Sequence, residues 1–298
     1  MQFLPVYRWQ GGLLGSCVGE WLPQFNTDTQ TVIPYLQIGQ HLINDFIEKR
    51  QLSEQDWLNI YQQYSKELKN CRSGELILSL LPLFLFYHDS RWELEQQLYL
   101  VETLWQQPAQ TINDVLVWGY LCSLILREEL QPQQWLDDLI QVAHSRQTSL
   151  KELLELVKRL LDDAVPLHQG IKQITLKETP FQVAIAFSVY CFGSTPNDVG
   201  LSITRASQIK KQNSLTIALT GFLVGLYNSI SGFPLAWRKK SQNEPLTQLL
   251  NQQVIQMFGL WSGVYEINSN TPPSTFTLAA SGVIQRRTSL NLVSQDNN

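Results

Sequence analysis

The chain is poor in cysteine, with only Cys17, Cys71, Cys122 and Cys191 among its 298 residues, and no two of them form a CxxC pair. Their wide spacing gives no basis for a disulfide scaffold or a cysteine-ligated zinc. The expectation is four small buried thiols in a reducing, cytoplasmic compartment. Positive charge is not in excess either: 22 Lys and Arg stand against 26 Asp and Glu, a net −4. Nucleic-acid binding calls for a basic stripe, so that class of partner is not expected. The opening MQFLPVYRWQ lacks the basic start and long apolar run of a secretory signal. There is no Asn-Gly or Asp-Gly turn and no sustained two-residue alternation, so strands have little support. No GKS, GKT or GxGxxG is present to cradle a phosphate. A GxSxG nucleophile elbow is missing as well. His41, His88, His144 and His168 show no metal-ligand spacing with one another. The acidic neighbours Glu128-Glu129, Asp137-Asp138 and Asp162-Asp163 would point about 100° apart on a helix. They mark solvated faces rather than acid/base pairs.

What the chain does have is helical periodicity. A hydrophobic share of 44% suits a globular protein, and a chain of this length forms one large domain or two ordinary ones. At this size folding buries about 75% of the unfolded surface. Residues 31–50 place Val32, Tyr35, Leu36, Gly39, Leu42, Ile43 and Phe46 on one face at three- and four-residue steps. Residues 53–69 open on Ser53-Glu54-Gln55-Asp56, an N-cap with an acidic first turn, followed by a stripe of Trp57, Ile60, Tyr61, Tyr64 and Leu68. Further helices are predicted at 74–88, 91–106, 111–128, 132–144, 149–164, 180–193, 196–207, 214–230 and 246–265. Thr148-Ser149 is the start signal for one, and Pro196, in the first turn, for another. Between Lys211 and Arg238 no residue is charged, a gap long enough to cross a bilayer. Polar residues from Gln212 to Ser231, and Pro234, interrupt it, so a buried helix is expected rather than a membrane span. Beyond 265 the chain turns rich in Ser, Thr, Asn and Pro. The expected organisation is an all-α domain over 1–265 and a loose polar tail over 266–298.

Several short motifs follow one another in a telling order. Residues 11–20 read GGLLGSCVGE, with small residues every three or four positions, a spacing that lets helices approach closely. Residues 26–30 read Asn26-Thr27-Asp28-Thr29-Gln30, where Asp28 suits an N-cap for the helix starting near Thr31. Arg72-Ser73-Gly74-Glu75 precedes an apolar run, and Thr103 to Pro108 follows it. Residues 210–215 read Lys210-Lys211-Gln212-Asn213-Ser214-Leu215, ahead of a helix carrying Gly221 and Gly225 and an ending Ser231-Gly232-Phe233-Pro234-Leu235-Ala236-Trp237.

Taken together, residues 11–240 resemble the ADP-ribosylglycohydrolase family, and 181–238 carry the resemblance most specifically. The resemblance implies a compact, all-helical single domain with a cleft at helix termini near Asp28 and Lys210–Ser214. In the family the first motif reads like GALLGLAVGDALG, so Gly12, Gly15 and Gly19 match and Glu20 replaces an aspartate. The second reads TDDTQ, so Asp28 survives, Thr27 replaces an acid and Thr29 aligns. A ligand-facing role for Asp28 then stands beside the cap. The third, SNGA-x-MR, and the fourth, TH-x-x-P, match only loosely, and the histidine of the fourth is missing. In the fifth, GGDTDT, Lys210 and Lys211 fall on the glycines and Gln212 and Ser214 on the metal-binding aspartates.

The family's magnesium or manganese pair needs hard oxygen ligands, chiefly carboxylates. Each carboxylate lost forfeits roughly 4 kcal/mol of attraction at about 4 Å and an effective dielectric near 20. With three replaced, at Thr27, Gln212 and Ser214, the expectation is no metal cofactor. The first reading is therefore a degenerate relative that binds or regulates, through an unknown protein partner or an ADP-ribose-like or other anionic ligand. Lys210, Lys211 and the free N–H groups of the helix starting at Asn213 or Ser214 would favour an anion; two solvated lysines in a polar loop are the plainer account. A rival reading is an active enzyme that removes ADP-ribose from protein side chains, with Asp28, Glu20 and Glu75 sharing Mg or Mn. A third is an interaction scaffold that docks through 266–298.

Overall fold

The computed structural model describes residues 4–21, 32–69, 71–176, 182–210 and 213–263. Among these residues the regular structure is entirely helical, as expected. The first group comprises α1 (Pro5–Trp21), α2 (Ile33–Lys49), α3 (Glu54–Gln63), α4 (Ser65–Leu68), α5 (Ser73–Ser79) and α6 (Leu81–Phe86). Next come α7 (Arg91–Leu104), α8 (Ala109–Leu126), α9 (Trp135–Ser145), α10 (Leu150–Asp162) and α11 (Leu167–Thr175). The last group is α12 (Val183–Ser194), α13 (Val199–Ser207), α14 (Asn213–Asn228), a 3-10 turn (Ile230–Gly232), α15 (Leu235–Ser241) and α16 (Pro245–Ser262).

Local chemistry accounts for much of this. Ser53 caps α3 through a capping box: its hydroxyl accepts from the Asp56 N–H, and Asp56 accepts from the Ser53 N–H at 2.8 Å. On α10 the buried residues Leu150, Leu153, Leu154, Val157 and Leu160 form one face, while Lys158 pairs outward with Asp162 at 3.5 Å. By contrast α12 is buried all round from Val183 to Phe192, and α14 from Ser214 to Leu226. Both are interior helices.

Some predicted helices divide. The segment 74–88 is α5 and α6, separated at Leu80. Pro82 lies in the first turn of α6, and its ring and missing N–H forbid a continuous ladder through that point. The segment 53–69 divides at Tyr64, where the backbone leaves helical angles. Pro196 does not start α13; Asp198 does, its carboxylate accepting from the Leu201 N–H at 2.8 Å. Helices α1, α11 and α15 add to the predicted set. The uncharged stretch 211–238 is no single span, because α14 ends at Asn228 and a 3-10 turn and α15 follow. Helix α8 is long and apolar enough to cross a membrane by length and composition, yet 61% of it is buried inside the fold.

The scaffold is organised around α1 and α14, which run antiparallel in backbone contact. Gly11 faces Gly225, Gly15 faces Gly221 and Gly19 faces Ile217. A Cβ at Gly15 would sit 1.9 Å from the Gly221 carbonyl oxygen, and one at Gly221 would sit 2.1 Å from that of Gly15. Only glycine permits this approach. The pairing brings the end of α1, with Glu20, beside the start of α14, with Ser214.

Candidate functional site

The convergence point is built from helix ends. The last turn of α1 meets the first turn of α14, and the first turn of α5 packs there too. A Cβ on Gly74 would lie 3.0 Å from Leu215 and 3.3 Å from Leu219. The start of α2 is tied in by Glu20, whose carboxylate accepts from the Val32 N–H at 2.6 Å. The structure therefore brings together the first turns of α2, α5 and α14, each with outward-pointing N–H groups and a positive dipole end.

The predicted residues are placed as follows. Glu20 sits at this junction and spends one oxygen on the α2 backbone. Ser214 is buried in the first turn of α14. Asn213 opens that helix, within the start the sequence predicts. Lys210 is exposed in the turn after α13. Thr27, Asp28, Thr29, Lys211 and Gln212 lie outside the described residues.

Glu75, in the first turn of α5, is buried and committed. Its carboxylate accepts from the Arg72 N–H at 2.8 Å and from the Arg72 guanidinium Nε at 3.0 Å, with a second, closer guanidinium contact. Tyr35 of α2 reaches the same carboxylate. Burial first, then the negative charge of Glu75, pushes the Tyr35 phenol well above its ordinary range.

Beside this cluster lies Asp114 of α8, which sequence reasoning missed. It is wholly buried. Its carboxylate accepts from the Ser73 hydroxyl at 2.8 Å, from the Gln182 amide at 2.9 Å and from the Thr148 hydroxyl. These donors start α5, precede α12 and precede α10, so one acid gathers three helix starts onto α8. Burial raises its pKa, and side-chain hydrogen bonds from Thr148, Gln182, Ser73 and Gln110 work against that rise. A lone acid between Ile112 and Val115, the one charged residue of α8, was the available signal.

His144 and His168 are exposed, while the other two histidines have neighbours within the fold. His88 is buried against Trp9 and Trp261 with Nδ1 2.7 Å from the Leu85 carbonyl, and burial holds its pKa down. His41 lies 4.0 Å from Asp45 on the same helix. The four cysteines are buried as free thiols. Burial pushes Cys17 up to about 11 and Cys191 up to about 12, which makes them poor nucleophiles at neutral pH.

Among the described residues, no group of three His, Cys, Asp or Glu side chains stands close enough to share a metal. Glu20 is bonded to a backbone N–H, Glu75 to a guanidinium and a phenol, and Ser214 offers a neutral oxygen. That donor set does not fit a pair of hard dications.

The described residues define an all-helical class of fold. A family model described as ADP-ribosylglycohydrolase matches residues 35–264, and the chain belongs to that family. Among curated proteins, none matches the chain. The family match takes in Glu75, Asp114 and Ser214; it begins after the glycine motif at 11–20 and the Asp28 segment.

Proposed function

We propose that this chain is a catalytically degenerate ADP-ribosylglycohydrolase-like protein that binds or regulates and has lost the di-metal site. The observation that carries the reading is the replacement of acids by neutral side chains at two positions of the sequence, 212 and 214. Gln212 and Ser214 stand where the family's motif places aspartates. Support comes from the engagement of the nearest acids: Glu75 is held by Arg72 and Tyr35, so a dication would have to break a buried ion pair to recruit it. At the described helix starts Glu20 is bonded to the α2 backbone, Glu75 is paired with Arg72, and Ser214 offers a neutral hydroxyl. That surface suits an anionic or ADP-ribose-like ligand, or a protein partner, better than metal-assisted hydrolysis.

Two measurements on the full chain test this. Calorimetric titration with MnCl₂ and MgCl₂ should show no saturable micromolar binding. Release of ADP-ribose from ADP-ribosylated arginine should stay at the level of buffer. Release by the wild type that disappears in Asp28→Ala would establish an active enzyme and overturn the proposal, as would micromolar metal binding lost in the same variant.

A further inference from the structure

We propose that a second site, between α7, α8 and α9, binds a small tetrahedral oxyanion: free phosphate or the phosphate group of a monoester. A cavity of about 80 Å³ opens there, lined by Arg91, Arg127 and Arg146. A bulk water occupies about 30 Å³, so the space takes roughly two or three waters or one four-oxygen anion. Its apolar floor comes from Leu94, Leu116 and Val142.

The supply of guanidinium donors is the reason to name an anion. Three guanidinium groups line the cavity with one lining carboxylate, Glu95, while Asp138 and Glu129 lie near enough to act on the lining Tyr120. One Glu95 oxygen accepts from Arg91 at 2.9 Å and also from Arg146. Arg127 pairs outside the lining with Glu129 at 2.6 Å, and both of those side chains are about half exposed. A single carboxylate oxygen shared by two guanidinium forks leaves most of their N–H donors for another acceptor. The whole chain carries net negative charge, so this cationic cluster is a local arrangement and not a consequence of a basic protein. None of the lining residues belongs to the cleft at the start of α14.

Glu95 gives the proposal a signature that structural arginines would not produce. It is an internal competitor for the same donors, so its neutralisation frees them for ligand. The experiment is calorimetric titration of the full chain with potassium phosphate at constant ionic strength, with chloride as reference. Saturable binding is expected. Arg146→Gln and Arg127→Gln should each weaken it about tenfold, the worth of one charge-assisted hydrogen bond, and Glu95→Gln should tighten it. Arg146 also braces α9 against α7, so melting curves accompany each variant; Arg127 lies at the surface and its variant is expected to fold regardless. Phenyl phosphate distinguishes the sources: a monoester site binds it more tightly than inorganic phosphate, and a free-ion site less tightly. Absence of saturable binding would overturn the proposal. So would binding that is lost in Lys210→Gln but kept in the arginine variants, since that places the anion at the cleft.

Discussion

Asp114 concentrates the physics of the site in one side chain. Its carboxylate is out of contact with water and holds Ser73, Thr148 and Gln182 in place. Removal to alanine leaves three buried donors short of an acceptor, each worth about 1–3 kcal/mol. Asp114→Ala is therefore expected to cost about 3 kcal/mol or more in urea unfolding. The pH dependence has a definite sign. Burial raises the folded-state pKa above the ordinary 3.8, so the folded form holds the proton more tightly than the unfolded form. Stability from this group is complete below 3.8 and is lost as pH rises through the raised value. Asn cannot ionise, so the stability of Asp114→Asn relative to wild type should improve from pH 4 to pH 8. An unchanged difference across that range would remove Asp114 as the titrating group. The sequence made the short-range features of such residues legible: the Ser53 cap, and the start of α14 near Asn213, follow from neighbours in the chain. It did not reveal Asp114, because the partners that tie it to other helices, Ser73, Thr148 and Gln182, are 34 or more positions away. It likewise named Glu75 as an acid without showing that Arg72 and Tyr35 had already engaged it.

At the scale of elements, the contact between α1 and α14 sets where Glu20 and Ser214 meet. The glycine spacing in 11–20 was readable as helix packing, but its partner surface, Gly221 and Gly225, lies some two hundred positions away in the chain. Helix ends were less readable. Gln106, Glu128, Gln147 and Ala164 each adopt positive φ just past a helix, at positions where glycine is the usual stop signal. The interhelical contact makes a sharp contrast between neighbouring substitutions. A methyl at Gly15 would collide with the rigid backbone of Gly221 at 1.9 Å, whereas one at Gly19 meets only the Ile217 side chain at 3.1 Å. Gly15→Ala must push the two helices apart, at a cost of about 3 kcal/mol or more. Gly19→Ala gains up to about 1 kcal/mol of helix propensity, which offsets a small side-chain shift. Denaturant unfolding should therefore find Gly15→Ala severely destabilised or unfolded and Gly19→Ala within about 1 kcal/mol of wild type. Equal effects would mean that the helices do not touch through their backbones. Because Glu20 and Ser214 ride on these two helices, Gly15→Ala should also disturb the cleft.

For the whole molecule, the question is what balances a set of helix starts gathered at one end. The positive ends of their dipoles favour negative charge. In a metal-dependent relative, acids at such an end would be free to hold dications. Here the described acids serve the protein itself: Glu20 caps the approach to α2, Glu75 neutralises Arg72, and Asp114 joins helix starts. These described carboxylates are each held by donors of the protein itself. This argument carries a thermodynamic consequence independent of any activity. A ligand that binds only the folded state stabilises it by about 2.7 kcal/mol at roughly a hundredfold excess over Kd. For a domain of this size that raises the melting temperature by about 5–10 °C. If the acids are engaged as described, melting in EDTA and in millimolar MnCl₂ or MgCl₂ should agree within about 1 °C. A rise of several degrees with manganese, reversed by EDTA and abolished in Asp28→Ala, would show that this cleft still gathers enough negative charge to hold a dication, and the engaged-acid account would fail.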